Sequence, residues 1–300
     1  MMWAQRYRLS FLLLFIISAF TAARPAAAQV ACQETSEGRI CNIQQPIVQG
    51  TLVPVQTQRD LGLVTVNNGC SGTLLNRYWV LTADHCVTTN GAINGPAQPT
   101  NNLPITAAWS SERVLPSRLV RNWGASGRDV ALIYLGTGDF GVVNIQLLSI
   151  NEIENGNTIV KYGRGISAFA TAGPPQTAAV ADGRYRSAAA TASNAGTTTY
   201  TLAINALGQV ADGGDSGGAD VLLAPNGVGL GISGVQSTCV ATGVVPGQPL
   251  TLPGGAINWN WVTGVSSCNS ATIEPIRFDL IQIIQEAPMN MVPVYYETLY

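Results

Sequence analysis

After residue 46, turn-forming residues break the chain so often that hardly any apolar segment is longer than a short strand. Glycine alone occurs 32 times in 300 residues, with Asn and Pro between the apolar stretches. Such punctuation leaves no room for a bundle of long helices and favours short strands joined by turns. Five segments have strand character: 61–66, 78–82, 129–135, 198–204 and 227–233. Loops are expected at 89–103, 171–177 and 244–255. One helix is expected, at 275–286. Pro275 suits a first helical position, and Ile276, Leu280, Ile283 and Ile284 recur with helical spacing. The chain therefore reads as all-β, long enough for one large domain or two small ones.

Charge narrows the function classes. Only 11% of residues are charged and the isoelectric point is near 5.4, against about 25% charged in an average domain. Nucleic-acid binding needs a basic footprint, and none is present. Lys161 is the only lysine, beside 14 arginines. Residues 1–28 carry the marks of a secretory signal: Arg6 and Arg8, the apolar run 9–20, then Ala26-Ala27-Ala28. The apolar run is shorter than the ~20 residues a membrane span needs. Cleavage near Ala28 is expected to send the chain to an extracellular or periplasmic compartment, without a stable membrane anchor. It would leave 12 basic and 17 acidic groups.

That compartment bears on the cysteines. Cys32, Cys41, Cys70, Cys86, Cys239 and Cys268 contain no CxxC pair, and there is one histidine, so disulfides are expected rather than a metal site. Six cysteines allow 15 pairings. Pairing of neighbours gives Cys32–Cys41, Cys70–Cys86 and Cys239–Cys268.

Three segments carry chemistry. His85, the only imidazole, follows the strand expected at 78–82 and precedes Cys86. Histidine is the side chain best suited to general base work near neutral pH. Ser216 sits within Gly213-Gly214-Asp215-Ser216-Gly217-Gly218, where glycines allow a sharp turn and let two N–H groups face one point. Asp129 opens the apolar strand Asp129-Val130-Ala131-Leu132, where a buried carboxylate would face the histidine. Each segment has an ordinary structural explanation on its own. The combination, in this order, does not.

Together they resemble the chymotrypsin-like (trypsin-like, S1-type) serine proteases. Thr82-Ala83-Asp84-His85-Cys86 is similar to T-A-A-H-C. Gly214-Asp215-Ser216-Gly217-Gly218 is G-D-S-G-G unchanged, and Cys70-Ser71-Gly72-Thr73-Leu74 looks like the family's C-G-G-S/T-L strand. Ile47-Val48-Gln49-Gly50 resembles the family's mature start, I-V-G-G. The resemblance covers about residues 47–286. It implies two antiparallel six-stranded β-barrels packed together, at about 47–150 and 158–265, with a C-terminal helix at 275–286. Residues 29–46 would be an N-terminal extension or propeptide, and 287–300 a tail. It also implies His85, Asp129 and Ser216 as triad, the N–H groups of Gly214 and Ser216 as oxyanion hole, a Cys70–Cys86 disulfide and no cofactor. The expected function is a secreted serine endopeptidase acting on proteins or peptides. The alternative is a catalytically inactive, protease-like binding protein on the same scaffold.

The departures concern the pocket and the histidine. The family's pocket floor falls on Val210, which has no charge for a basic side chain, so a small or medium apolar residue is expected before the scissile bond. The substrate-flanking segment aligns with Ser233-Gly234-Val235. Asp84 stands where alanine is usual and is expected to project to solvent. Asp212 stands where a cysteine is common. Asp215, which in many relatives pairs with a newly freed N-terminal amine, would here find an internal partner.

Overall fold

A computed structural model describes residues 31–35, 38–42, 47–48, 50–67, 69–89, 91–93, 95, 103–136, 138–142, 148–165, 167, 181–240, 250–251, 257–258, 270–276, 283 and 294–295. Residues 1–28 and most of the expected loops lie outside these residues. Among the described residues no helix is long and apolar enough to cross a membrane.

The chain divides into a small unit, Met1–Asn42, and a large one, Ile43–Tyr300. In the small unit, β1 (Ala31–Thr35) and β2 (Gly38–Asn42) form an antiparallel hairpin with Cys32 directly opposite Cys41.

The large unit begins with β3 (Thr51–Leu52) and a short helix α1 (Val55–Asp60). Seven strands then build the first sheet: β4 (Leu63–Val66), β5 (Cys70–Leu74), β6 (Trp79–Thr82), β7 (Pro104–Ala107), β8 (Val114–Pro116), β9 (Leu119–Asn122) and β10 (Ala131–Tyr134). Their spatial order is β8-β7-β4-β5-β6-β10-β9, antiparallel throughout. Asn76 closes the β5–β6 connection by accepting the N–H groups of Tyr78 and Trp79, an Asx turn. Val64, Val80, Ile105, Leu132 and Ile133 are wholly buried inside this sheet. Each such side chain contributes about 1.5–3 kcal/mol through burial.

The second half contains β11 (Leu148–Ser149), β12 (Thr158–Gly163), β13 (Arg186–Ser193), β14 (Tyr200–Ala203), β15 (Ala219–Leu223), β16 (Gly229–Val240) and β19 (Ser270–Pro275). The hairpin β17 (Leu250–Thr251) and β18 (Ile257–Asn258) stands apart, and β20 (Val294–Tyr295) runs parallel to β11. Six of these strands close into a ring, β15-β12-β13-β14-β19-β16, sealed by the β15–β16 pairing. Its interior holds Ile159, Leu202, Leu222, Leu230 and Ile273.

The all-β, chymotrypsin-type architecture is thus present: the second barrel closes with six strands, and among the described residues the first is a curled half-barrel of seven. Pro275, expected at the start of a helix, ends β19. Ile283 is helical and buried, and the rest of 277–286 lies outside the described residues.

Cys70 in β5 is bonded to Cys86, four residues beyond β6, across a Cα–Cα distance of 6.0 Å. Cys268, and with it the expected Cys239–Cys268 pairing, lies outside the described residues. The loop closed by Cys70–Cys86 spans 16 positions and is worth roughly 3 kcal/mol in the chain-entropy account. Replacing both cysteines by alanine should lower stability by about that amount, read from denaturant unfolding. An unchanged midpoint would mean the bond constrains little.

Candidate active site

Antiparallel pairing brings the first two site residues together. β6 and β10 are neighbours with Thr82 opposite Ala131, so the end of one strand lies beside the start of the other. His85 comes three residues after Thr82, on a single 3-10 turn, Asp84–Cys86. Asp129 comes two residues before Ala131. The His85 Nδ1–Asp129 Oδ2 distance is 2.8 Å, and the His85 backbone N–H donates to Asp129 Oδ1 at 3.0 Å. Two grips on one carboxylate fix both the loop and the ring. With Nδ1–H turned to Asp129, Nε2 is left as the acceptor.

Asp129 is 1% exposed, and a buried carboxylate without partners would be costly. A third donor, the Ser237 hydroxyl on β16, reaches Oδ2 at 2.5 Å. Burial pushes the Asp129 carboxyl up. The hydrogen bonds and charge of His85, with the Ser237 hydroxyl, outweigh it and hold the group below its usual value. Arg128, the preceding residue, pairs with Glu274 at 2.6 Å and donates to the Pro275 carbonyl, so both ends of this strand start are tied to the second barrel.

Ser216 arrives from the loop between β14 and β15. The loop is held against β5: the Ser71 N–H donates to the Ser216 carbonyl at 2.8 Å, and the Ser71 hydroxyl to that of Gly214 at 3.0 Å. Gly214 and Gly217 have φ of +92° and +79°, conformations that side chains rarely adopt. At Gly217 a Cβ would also collide with Thr82 Oγ1 and the Ser71 carbonyl. Within 213–218 the N–H groups of Gly213, Asp215, Gly217 and Gly218 all donate inside the protein. Among the described residues, those of Gly214 and Ser216 donate to none. These are the two groups expected for an oxyanion hole.

The Ser216 hydroxyl donates to the Ser237 carbonyl at 3.4 Å, while His85 Nε2 lies 3.8 Å from Cys86 Sγ. The Ser216 hydroxyl does not hydrogen-bond to His85 in this arrangement. Hydrogen bonds of this kind are commonly loose without substrate. The atoms of Cys70, His85 and Cys86 lie within 4.8 Å of one another, but both sulfurs belong to the disulfide and offer no thiolate to a metal.

A cavity of about 40 Å³ opens beside Ser216. It is lined by Ala211, Asp212, Gly213, Gln236, Ser237, Thr238 and Ala271, with Asp215 and Ser216. The expected pocket residues lie elsewhere. Val210 is wholly buried and bridges to Val48. Ser233 donates to the Asp220 carbonyl inside the barrel, and Val235 is wholly buried. At Gly234 the space of a side chain is filled by the Tyr200 hydroxyl. The strand segment that faces the site is Gln236-Ser237-Thr238. Ser237, which the sequence reading did not single out, donates to Asp129; Ser233, four residues earlier on β16, does not. Asp84 does not project to solvent: it is wholly buried and accepts the Asn122 side-chain N–H at 2.6 Å. Asp212, 4% exposed, accepts the N–H of Gly213 at 2.6 Å and borders the cavity.

Comparison with known proteins agrees with this architecture. A search of curated proteins finds no match. The family model for trypsin matches residues 47–248, the stretch that holds the first sheet, the second as far as β16, the His85–Asp129 contact and the Ser216 loop. The chain belongs to the trypsin family of serine peptidases.

Proposed function

We propose that the chain is a secreted serine endopeptidase that cleaves peptide bonds by acyl transfer to Ser216. The observation that carries this is the buried Asp129 holding His85 Nδ1 at 2.8 Å, next to a serine turn with two untaken N–H groups. In the proposed reaction Ser216 Oγ attacks the substrate carbonyl carbon as His85 Nε2 takes the hydroxyl proton. The N–H groups of Gly214 and Ser216 receive the developing oxyanion. As the tetrahedral intermediate collapses, the C–N bond breaks and His85 gives its proton to the leaving amine. Water, activated in turn by His85, hydrolyses the acyl-enzyme. Asp129 keeps the ring in the required tautomer and stabilises the imidazolium without taking the proton.

A cavity of about 40 Å³ walled partly by Ala211 and Ala271 supports a small apolar residue before the scissile bond. Asp212 at its border favours a second reading, a basic residue there, and a peptide-library cleavage profile separates the two. Residues 1–28 support secretion by their signal-like pattern. The inactive-scaffold alternative is tested by the same reagents as catalysis.

Wild-type protein should label with a fluorophosphonate probe and Ser216→Ala should not. The kcat of Ser216→Ala should fall on the order of 10⁶-fold. Asp129→Asn should retain the fold yet lose about 10⁴-fold in kcat, because the tautomer is no longer fixed. Labelling that survives in Ser216→Ala would refute the nucleophile.

The pH profile should show one acid limb in kcat/KM, since His85 is the only imidazole and its protonated form cannot accept the Ser216 proton. A profile flat from about pH 4 to 8 on folded protein would exclude His85 as base. Stability should behave differently. The Asp129 carboxyl is held below its unfolded value. Its contribution is therefore present above the ordinary carboxylate pKa and lost as pH falls through the lower folded one. Acid unfolding should be milder in Asp129→Asn, which has no carboxylate to protonate. Equal acid sensitivity of the two proteins would contradict this.

A further inference from the structure

The turn that carries Ser216 is built mostly of glycine, so the direction of its N–H groups must be set from outside. Gly213, Gly214, Gly217 and Gly218 have no side chain to restrict their dihedrals. The grip comes from Ser71, a wholly buried residue of β5. β5 pairs with β6 as far as Thr73 opposite Leu81, and at Ser71 its edge meets the Ser216 turn instead. There the Ser71 N–H donates to the Ser216 carbonyl at 2.8 Å and the Ser71 hydroxyl to the Gly214 carbonyl at 3.0 Å. Gly214 and Ser216 are the residues whose own N–H groups are offered to the oxyanion. One residue therefore holds the carbonyls of both.

A peptide unit is planar, so a carbonyl and the following N–H move together. The Gly214 carbonyl shares its plane with the Asp215 N–H, which donates to the Asp212 carbonyl at 3.0 Å. The Ser216 carbonyl shares its plane with the Gly217 N–H, which donates to the Gln236 carbonyl at 2.7 Å. Both planes are thus gripped at each end, with Ser71 at one end of both. The Gly213 N–H, one plane earlier, donates to Asp212 Oδ1 at 2.6 Å. The two oxyanion-hole N–H groups sit in the peptide units 213–214 and 215–216, each between held neighbours. Ser71 is anchored in turn. Its Oγ accepts the Arg164 N–H at 3.2 Å, and its carbonyl accepts the Thr82 hydroxyl at 2.9 Å. Beside it the Gly72 N–H donates to the Tyr185 hydroxyl at 3.3 Å, and that hydroxyl donates to the Val64 carbonyl.

We infer that the Ser71 hydroxyl is a positioning group for the oxyanion hole: through the Gly214 carbonyl it keeps the Gly214 and Ser216 N–H groups directed at one point. The inference rests on the serine peptidase reading and adds to it a residue outside both the triad and the G-D-S-G-G run. The family's C-G-G-S/T-L strand has glycine at this place. The backbone grip on Ser216 is therefore open to relatives, whereas the hydroxyl grip on Gly214 belongs to this chain. A hydroxyl that served the fold alone would lower stability when lost and leave turnover of the folded enzyme unchanged. A hydroxyl that aims oxyanion donors acts where charge develops. Its loss falls on kcat and on the binding of a transition-state analogue, and spares KM.

The test compares wild type with Ser71→Ala on a peptide amide and on the peptidyl trifluoromethyl ketone of the same sequence, with alanine at the reacting carbonyl. Ser216 Oγ adds to the ketone carbon while His85 takes the hydroxyl proton, so the adduct carries a tetrahedral oxyanion. Loss of a whole oxyanion donor costs roughly 10²–10³ in kcat; Ser71→Ala keeps both donors and relaxes their aim, so kcat should fall about tenfold. KM should stay within about twofold of wild type, and the ketone inhibition constant should rise about tenfold. A kcat within about twofold of wild type, a fall in kcat that the ketone does not share, or a loss carried by KM would each overturn the inference. If Ser71→Ala does not fold, Ser71→Gly, with the residue of the family strand, is read by the same measures. Wild type that does not label with the fluorophosphonate probe fails the peptidase reading itself. Wild type that labels, beside a Ser71→Ala of full rate, fails the Ser71 inference alone.

Discussion

A carboxylate taken out of water must be answered by donors, and here that demand organises the molecule. Asp129 is buried where the two halves of the large unit meet, and its donors come from both. His85 and its backbone N–H belong to the first sheet; the Ser237 hydroxyl belongs to the second barrel. Neither half can shift without leaving a lone pair unsatisfied, at a cost of about 1–3 kcal/mol or more for a charged group. The same strand, β16, turns its Ser237 carbonyl toward Ser216. One residue therefore touches both the acid and the nucleophile.

Below Ser216 the same logic is repeated with a second aspartate. Asp215 is buried, and its donors again come from separate segments, the β12 edge at Gly165 and its own loop at Asp212. Glycines at 163 and 165 make the approach feasible, since side chains there would overlap Asp215 or the loop backbone. The nucleophile turn is thus shaped by what lies underneath it as much as by its own G-D-S-G-G sequence.

How much of this was legible depends on how rare the residues are. A single histidine and an unchanged G-D-S-G-G run left little choice for two site residues. Continuously apolar strands such as Trp79–Thr82 and Ala131–Tyr134 announced themselves. β13 did not, because its inward positions after Arg186 are Ala188, Ala190 and Ala192, which give almost no hydrophobic signal. α1 was missed for a similar reason: Val55–Asp60 has no apolar stripe. The pocket strand was placed at Ser233 rather than Ser237 because register is set by cross-strand pairing, including the irregularities of β16 against β15 and β19, which no local pattern encodes. Burial of Asp84 depends on Asn122, a residue 38 positions away on β9. The half-barrel form of the first sheet likewise reflects long-range pairing rather than any strand's own sequence.

The division of the site between two packed halves has a consequence for how such a molecule fails under stress. His85 and Asp129 ride on one sheet, Ser216 on a loop between strands of the other barrel, and what keeps them in register is a small set of polar links such as Ser71–Gly214, Ser237–Asp129 and Arg128–Glu274. Apolar packing joins the halves as well, since the buried cluster of the first sheet runs on into Ala219, Ile232 and Val235 of the second barrel, while a separate cluster fills that barrel. Warming or mild denaturant that loosened the polar links before the shared apolar cluster would disturb alignment while the strands stayed folded, so that loss of register and unfolding would be two transitions rather than one.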